Sequence, residues 1–147
     1  MAYLKITLEL EGNRLNYTNL LSDLKEKYFL VDKIQKGNKF SYIENDYYKI
    51  SCIWILNPEK YVEIDNNIEY QEWYLFFIAM NYERFLEYGV NNINLFFDVY
   101  VQYNEQCNFE IFDKEILKKL SQYNVSLPIS IHVLKEEEMK NFDLNIV

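Results

Sequence analysis

The fold is decided by residues 65–89, which read DNNIEYQEWYLFFIAMNYERFLEYG and hold the longest apolar run of the chain, residues 73–80. At about 100° per residue, the apolar side chains fill one broad side of a helix, as expected of a helix that packs on a sheet. That side consists of Tyr70, Tyr74, Leu75, Phe77, Ile78, Phe85, Leu86 and Tyr88. Gly89 stands where a helix commonly ends. The pattern predicts one helix here, or two if Asn81 caps a shorter second helix over residues 82–88.

The segments on either side of this helix alternate between apolar and polar residues, which is typical of strands with one covered face. Strands are predicted at residues 3–10, 29–35, 47–56, 92–103, 107–112 and 127–134, the last with Leu127, Ile129, Ile131 and Val133 inward. Helical spacing predicts one helix from Asn16 to Tyr28, capped by Asn16 or Thr18, and another that is capped by Asp113. The tail from Lys135 is predicted to be a short helical turn or frayed.

The order of these elements, β-α-β-β-α-β-β-α-β, predicts the α+β class. Helices separate runs of hairpin-linked strands, so we expect one mostly antiparallel sheet of about six strands with helices on one face. No break in composition divides the chain, and residues 1–147 are predicted to form a single domain.

Composition and charge limit the function classes. The chain has 147 residues, half of them apolar, and a net charge of −8, which disfavours direct binding to nucleic acid or to an anionic membrane surface. Cys52 and Cys107 are far apart in sequence and are expected to be reduced, buried thiols. The N-terminus does not read as a signal peptide, and eight consecutive apolar residues are too few for a bilayer span. We therefore expect a cytoplasmic protein.

No catalytic or metal-binding motif stands out. His132 is the only histidine, and no nucleophile with a local signature accompanies it. No metal-ligand spacing or glycine-rich phosphate loop is present. Asp98 and Glu110 lie on two strands of a predicted hairpin and are the one carboxylate pair to weigh for acid–base work, although such groups usually mark a solvated face. The sequence therefore predicts a protein that is not an enzyme and needs no cofactor or metal.

Negative charge is concentrated in the middle of the chain. Residues 59–115 hold twelve acidic residues against Lys60, Arg84 and Lys114, a net of −9, while the remainder of the chain carries +1. On the helical wheel, Asp65, Glu69, Glu72, Glu83 and Glu87 share a narrow sector with Phe76. These carboxylates either solubilise the outer face of a core helix or surround an aromatic anchor for a partner. The predicted partner-binding residues are Glu69, Glu72, Phe76, Glu83, Glu87, Asp98 and Glu110.

Three sequence features resemble an uncharacterised family of small bacterial α+β domains, some of which are found near toxin–immunity loci. They are the turn Lys36-Gly37-Asn38 before a strand that carries Trp54, the helical region that closes on Gly89, and residues 109–120, FEIFDKEILKKL, before a terminal strand. The resemblance implies an α+β domain and no catalytic residues.

These observations together predict a non-enzymatic protein-binding module, most concretely an immunity protein that neutralises a cognate toxin. An acidic surface suits a basic nuclease toxin, whose nucleic-acid site supplies the complementary field. The alternatives are a phage-type inhibitor or nucleic-acid mimic, and a small enzyme that uses Asp98 and Glu110. The chain is expected to be a monomer or a homodimer, and a helix that is apolar most of the way round could pair with its own copy.

Overall fold

The computed structural model describes residues 2–25, 28–35 and 51–146, with side chains up to residue 141. Its strands are β1 (Ala2–Gly12), β2 (Leu30–Gln35), β3 (Ser51–Leu56), β4 (Val62–Glu63), β5 (Asn92–Gln102), β6 (Val125–Ser126) and β7 (Ile129–Leu134). Its helices are α1 (Tyr17–Asp23), α2 (Ile68–Glu87), α3 (Lys114–Leu120) and α4 (Glu136–Ile146), with a 3₁₀ turn at Ile64–Asn66. Within these ranges, no helix is both long and apolar enough to cross a membrane.

The strands form one sheet in the order β2-β3-β1-β5-β6. Strand β4 pairs with β1 beyond the end of β3, and β7 pairs with β5 beyond the end of β6. Strands β6 and β7 run parallel to β5, and the other pairings are antiparallel. The predicted α+β class and mostly antiparallel sheet are confirmed, with seven strands in the described ranges.

The core lies between one face of the sheet and the apolar sides of α1, α2 and α3. Alternate residues of the two long central strands supply the sheet side of this core, because successive side chains of a strand point to opposite faces. They are Leu4, Ile6, Leu8 and Leu10 of β1, and Ile93, Leu95, Phe97 and Val99 of β5. Phe77 of α2 packs on them, stacked on Trp73 at a ring-centroid distance of 5.2 Å and edge-on to Phe29 at 5.6 Å.

Two glycines bring the end of β1 against the end of α2. A Cβ atom on Gly12 would stand 1.9 Å from the carbonyl oxygen of Gly89, so the two backbones approach more closely than any side chain permits. Gly89 itself has φ 97°, a conformation that residues with a Cβ avoid. The predicted helix end at Gly89 is confirmed, since α2 ends at Glu87 and Gly89 adopts this conformation two residues later.

Several predicted element bounds differ from the structure. Helix α1 is shorter than predicted, and Tyr28, assigned to its inner face, is 79% exposed. Asn16 does cap it, with Oδ1 accepting the Asn19 N–H at 3.3 Å. The tail forms helix α4, and the Glu138 carboxylate accepts the Lys135 N–H before its first turn at 2.8 Å. The Lys36-Gly37-Asn38 turn and residues 47–50 of the predicted third strand lie outside the described residues.

The predicted strand at residues 107–112 is wrong. This segment follows β5 as irregular chain, and Phe112 has φ 55°. Tertiary contacts override the alternating pattern: the Phe112 ring meets Phe97 edge-on at 4.8 Å, and its N–H donates to Gln71 Oε1 at 2.7 Å. The predicted hairpin with β5 is therefore absent. The chain instead returns through α3 to lie parallel to β5.

Gln71 is expected to stabilise that irregular segment. It is 2% exposed, and its Nε2 donates to Asn67 Oδ1 while its Oε1 accepts the Phe112 N–H. We expect Gln71→Leu to lower the free energy of unfolding by about 1–3 kcal/mol, because both partners stay buried without a hydrogen bond. Urea denaturation measures the change. The exposed Gln122→Leu is the matched control, and equal stability of the two variants would contradict this role.

Candidate functional site

The outer side of α2 forms the most distinctive exposed surface in the described residues. We call it the acidic face of α2 and define it as Glu69, Glu72, Phe76, Ala79, Met80, Glu83 and Glu87. All seven residues are exposed, Phe76 to 60% and Met80 to 43%. Their spacing of three or four residues aligns them along one side of the helix. Asp65, which the helical wheel placed with them, instead lies in the 3₁₀ turn before α2.

One continuous helix keeps these residues in line. Helix α2 runs for 20 residues without a break at Asn81. Asn81 is fully buried, and its Nδ2 donates to the Phe77 carbonyl at 3.0 Å while its Oδ1 accepts the Lys25 N–H at 3.0 Å. Asn81 therefore ties α2 to the end of α1 and does not start a second helix. Glu83 and Glu87 therefore stay on the same side of α2 as Glu69. Glu69 and Glu87 are about 27 Å apart along the helix axis.

The opposite side of α2 is anchored in the core, which fixes the direction of the acidic face. Tyr70, Tyr74, Phe77 and Phe85 are each 4% exposed or less. Leu86, predicted to join them, is 54% exposed and lies outside the packed side. An amphipathic helix held in this way presents its outer side chains to solvent at defined positions.

The carboxylates of the acidic face carry uncompensated charge among the described residues. None of Glu69, Glu72, Glu83 and Glu87 has an ion pair or hydrogen bond with a described residue. Arg84 is the only basic residue of α2, and it borders a shallow cleft with Asp23, Glu83, Glu87 and Tyr88. The field over this face is therefore negative, with an exposed aromatic ring at its centre.

Asp98 and Glu110 do not come together. Asp98 lies on the sheet face away from the helices, where its Oδ1 is 2.9 Å from His132 Nε2. Glu110 lies in the irregular segment after β5 and lines a cavity of about 290 Å³ with Ile68 and Gln71 at the start of α2. The predicted carboxylate pair across a hairpin is wrong, because the strand that would carry Glu110 does not form. Neither residue is part of the acidic face.

The sheet face opposite the helices carries an aromatic cluster that the sequence did not reveal. Tyr100 stacks on His132 at 4.7 Å and meets Tyr61 edge-on at 5.9 Å, and Lys5 Nζ lies 5.6 Å from the Tyr61 ring centre. Burial, followed by the nearby Asp98 charge, raises the pKa of Tyr100 to about 12. Alternate residues of a strand share a face, so Tyr100 and Asp98 of β5 lie on the same side, and the parallel register with β7 brings His132 beside them. These contacts pack the four side chains against one another on that face of the sheet.

The two cysteines are free. Cys52 is buried on β3, and burial followed by the Glu11 charge raises its pKa to about 12, which keeps the thiol protonated and unreactive. Cys107 is half-buried in the irregular segment, outside any strand. Among the described residues, histidine, cysteine and acidic side chains nowhere gather in threes as a metal site needs.

Comparison of the chain with family models, curated proteins and solved structures finds no match. The resemblance to small bacterial α+β domains stays a prediction.

Proposed function

We propose that this chain is a protein-binding module that docks through the acidic face of α2, and that its partner is a basic toxin which it neutralises as an immunity protein. The observation that carries the proposal is Phe76, a 60% exposed ring flanked along one helix by four carboxylates without a described basic partner. An aromatic anchor supplies contact area, and the surrounding charges steer encounter with a positive surface.

The charge distribution supports a basic partner. A nuclease toxin is basic overall, and a row of carboxylates about 27 Å long offers it a complementary field whether or not the nucleic-acid site itself is covered. The lack of a catalytic cluster at this face fits inhibition by occupation of the partner's surface. Cytoplasmic action would follow from neutralising such a toxin in the cell that makes it.

The test neutralises the face without changing its shape. The quadruple variant Glu69→Gln, Glu72→Gln, Glu83→Gln and Glu87→Gln is expected to slow association with the partner about 10- to 100-fold at low salt and to flatten the salt dependence. Because these side chains are exposed, stability should change little. The measurement is stopped-flow or surface-bound kinetics with the inactivated product of a toxin gene adjacent to this chain's own gene.

A matched quadruple variant controls for net charge. Glu59, Glu63, Glu115 and Glu137 are also exposed and lie off α2. Changing all four to glutamine removes the same charge and should leave association near the wild-type rate. Equal effects of the two quadruple variants would reject the acidic face as the docking surface, and absence of any binding would reject the toxin partner.

A nucleic-acid mimic makes a different prediction with the same reagents. The regular row of carboxylates on α2 is the observation that favours it. A mimic occupies the partner's nucleic-acid site, so a duplex oligonucleotide should compete with this chain for the partner. If saturating oligonucleotide does not affect binding, mimicry is excluded and the immunity hypothesis stands.

A further inference from the structure

The outer edge of β7 presents unpaired backbone groups. The Phe97 N–H donates to the Pro128 carbonyl at 2.9 Å, and the Tyr103 N–H donates to the Leu134 carbonyl at 2.7 Å, so even-numbered residues of this segment bond to β5. Backbone groups alternate in direction along a strand. The N–H and C=O groups of Ile129, Ile131 and Val133 therefore point away from the sheet. No strand within residues 2–25, 28–35 and 51–146 pairs with this edge.

The same three residues expose their side chains. They pair with Phe97, Val99 and Val101 in the β5 register and so share the helix-covered face of the sheet. The sequence predicted them as inward, yet Ile129, Ile131 and Val133 are 59%, 63% and 59% exposed. Three branched apolar side chains thus stand beside an open strand edge, an arrangement that proteins normally avoid or cover.

This edge lacks the devices that block strand pairing. Residues 125–134 contain no Asp, Glu, Lys or Arg, and Pro128 precedes β7 without interrupting it. The strand at the other end of the sheet differs: β2 carries Asp32 and Lys33, and its register with β3 shifts between Val31 and Lys33. Charges and bulges of that kind discourage edge-to-edge pairing.

We propose that β7 pairs antiparallel with β7 of a second copy of this chain, with Ile131 opposite the second copy's Ile131. This register places each outward-pointing residue opposite another, since Ile129 then faces the second copy's Val133. Each such pair exchanges two backbone hydrogen bonds. The branched side chains of both copies meet on one side of the joined sheet, where cross-strand apolar pairs stabilise.

The charge pattern favours a second copy as occupant over a basic partner. The edge offers no acidic side chain to attract a basic protein. An acidic copy is tolerated there because the nearest acidic run, Glu136 to Glu138, begins after the C-terminal end of β7. Antiparallel pairing sets the two runs at opposite ends of the interface, more than about 20 Å apart and well beyond the screening length of about 8 Å. The proposal does not depend on the acidic face of α2.

Sedimentation over a range of concentrations tests the proposal. We expect a reversible dimer with a dissociation constant on the order of 10 μM, given the small interface. Ile131→Lys places two like charges opposite each other at the symmetry axis and should weaken the dimer at least about 30-fold. Phe76→Lys, an equally exposed apolar residue on α2, should leave the dimer unchanged. A monomeric wild-type chain, a dimeric Ile131→Lys variant, or dissociation by Phe76→Lys alone would each overturn the proposal.

Cysteine cross-linking tests the register without added charge. In a hydrogen-bonded antiparallel pair the Cα atoms are about 5.5 Å apart, within the range of a disulfide. Ile131→Cys should therefore oxidise to a disulfide-linked dimer. Ile129→Cys alone should not, since its two copies are about 13 Å apart along the strands, but it should link to Val133→Cys when the two variants are mixed. Linkage of Ile129→Cys to itself, or no linkage of Ile131→Cys, would reject this register.

Discussion

Replacing Tyr70 and Tyr74 together with phenylalanine is expected to lower the free energy of unfolding by about 2–6 kcal/mol. The expected loss is comparable with the whole stability of an ordinary domain, about 5–15 kcal/mol. The double variant should therefore unfold at much lower urea concentration than the wild-type chain, or fail to fold at physiological temperature.

The reason is a gap in the sheet that the two hydroxyls fill. Strand β3 pairs with β1 from Leu8 onward, and β4 pairs with it at Tyr3 and Leu4, so none of the described strands pairs with Ile6 on that side. The Ile6 N–H donates to Tyr70 Oη at 3.0 Å, and Tyr74 Oη donates to the Ile6 carbonyl at 2.5 Å. Both polar groups of a fully buried residue are thus satisfied by α2 and not by a strand.

The hydroxyls also hold the connection between β3 and β4. Tyr74 Oη accepts the Asn57 N–H at 2.9 Å, and Tyr70 Oη donates to the Lys60 carbonyl at 3.0 Å. Phenylalanine keeps the ring packing of this pair, whose centroids are 5.4 Å apart, and removes only these bonds. The double variant consequently isolates the polar contribution from the apolar one.

Tyr82→Phe is the matched control. Tyr82 also lies on α2, contacts Tyr123 edge-on at 5.1 Å, and its hydroxyl makes no hydrogen bond with a described residue. Its replacement should change the free energy of unfolding by less than about 0.5 kcal/mol. A double Tyr70/Tyr74 variant as stable as Tyr82→Phe would show that water, or a shift of α2, satisfies Ile6.

Periodicity predicted β1, β5 and α2 well because one side of each is covered by the same core. The alternation of β1 and β5 and the helical spacing of α2 each report which side chains are buried, and the structure buries Leu8, Leu95 and Phe77 accordingly. Periodicity carries no information on which strands pair. The strand over residues 127–134 was predicted from its pattern, but its parallel pairing with β5 follows from the crossover through α3.

The same limit explains the errors at the candidate site. Residues 107–112 alternate as a strand does, yet the ring of Phe112 and the side chain of Gln71 hold them in another conformation. Contacts between residues 41 positions apart leave no trace in a local pattern. The acidic face of α2 was predictable because it depends only on the spacing of residues along one helix. The apolar edge of β7 was not, because its exposure results from the absence of a covering helix among the described elements.

Stability should also fall at alkaline pH, and the same two tyrosines contribute to the loss, together with Tyr100 and Cys52, whose pKa values burial raises to about 12. Burial raises the pKa of Tyr70 from 10.0 to about 12, and burial, followed by the proximity of Tyr70, raises the pKa of Tyr74 well above 10.0. The folded protein therefore keeps protons that the unfolded chain releases. The stability linked to Tyr70 is complete below pH 10 and is lost as the pH rises through about 12, and Tyr74 acts in the same direction.

The alkaline loss in the free energy of unfolding can be calculated for Tyr70 alone. Raising the pKa of Tyr70 from 10.0 to about 12 corresponds to roughly 3 kcal/mol, which is lost once the pH exceeds 12, and Tyr74 adds to it. Urea denaturation at steps between pH 8 and pH 12 measures the slope. The double Tyr70/Tyr74 variant, less stable at pH 8, should lose less stability than the wild-type chain as the pH rises, because its two phenylalanines have no phenol to ionise.

Phe77→Leu separates the effect of tyrosine ionisation from a loss of stability that is the same at every pH. It removes part of a buried ring that is 1% exposed and should destabilise the fold at every pH without changing a titrating group. Its stability should therefore run parallel to that of the wild-type chain between pH 8 and pH 12, while the curve of the double tyrosine variant is flatter. If the curves of unfolding free energy against pH were parallel for all three proteins, the alkaline loss of stability would arise from groups other than Tyr70 and Tyr74.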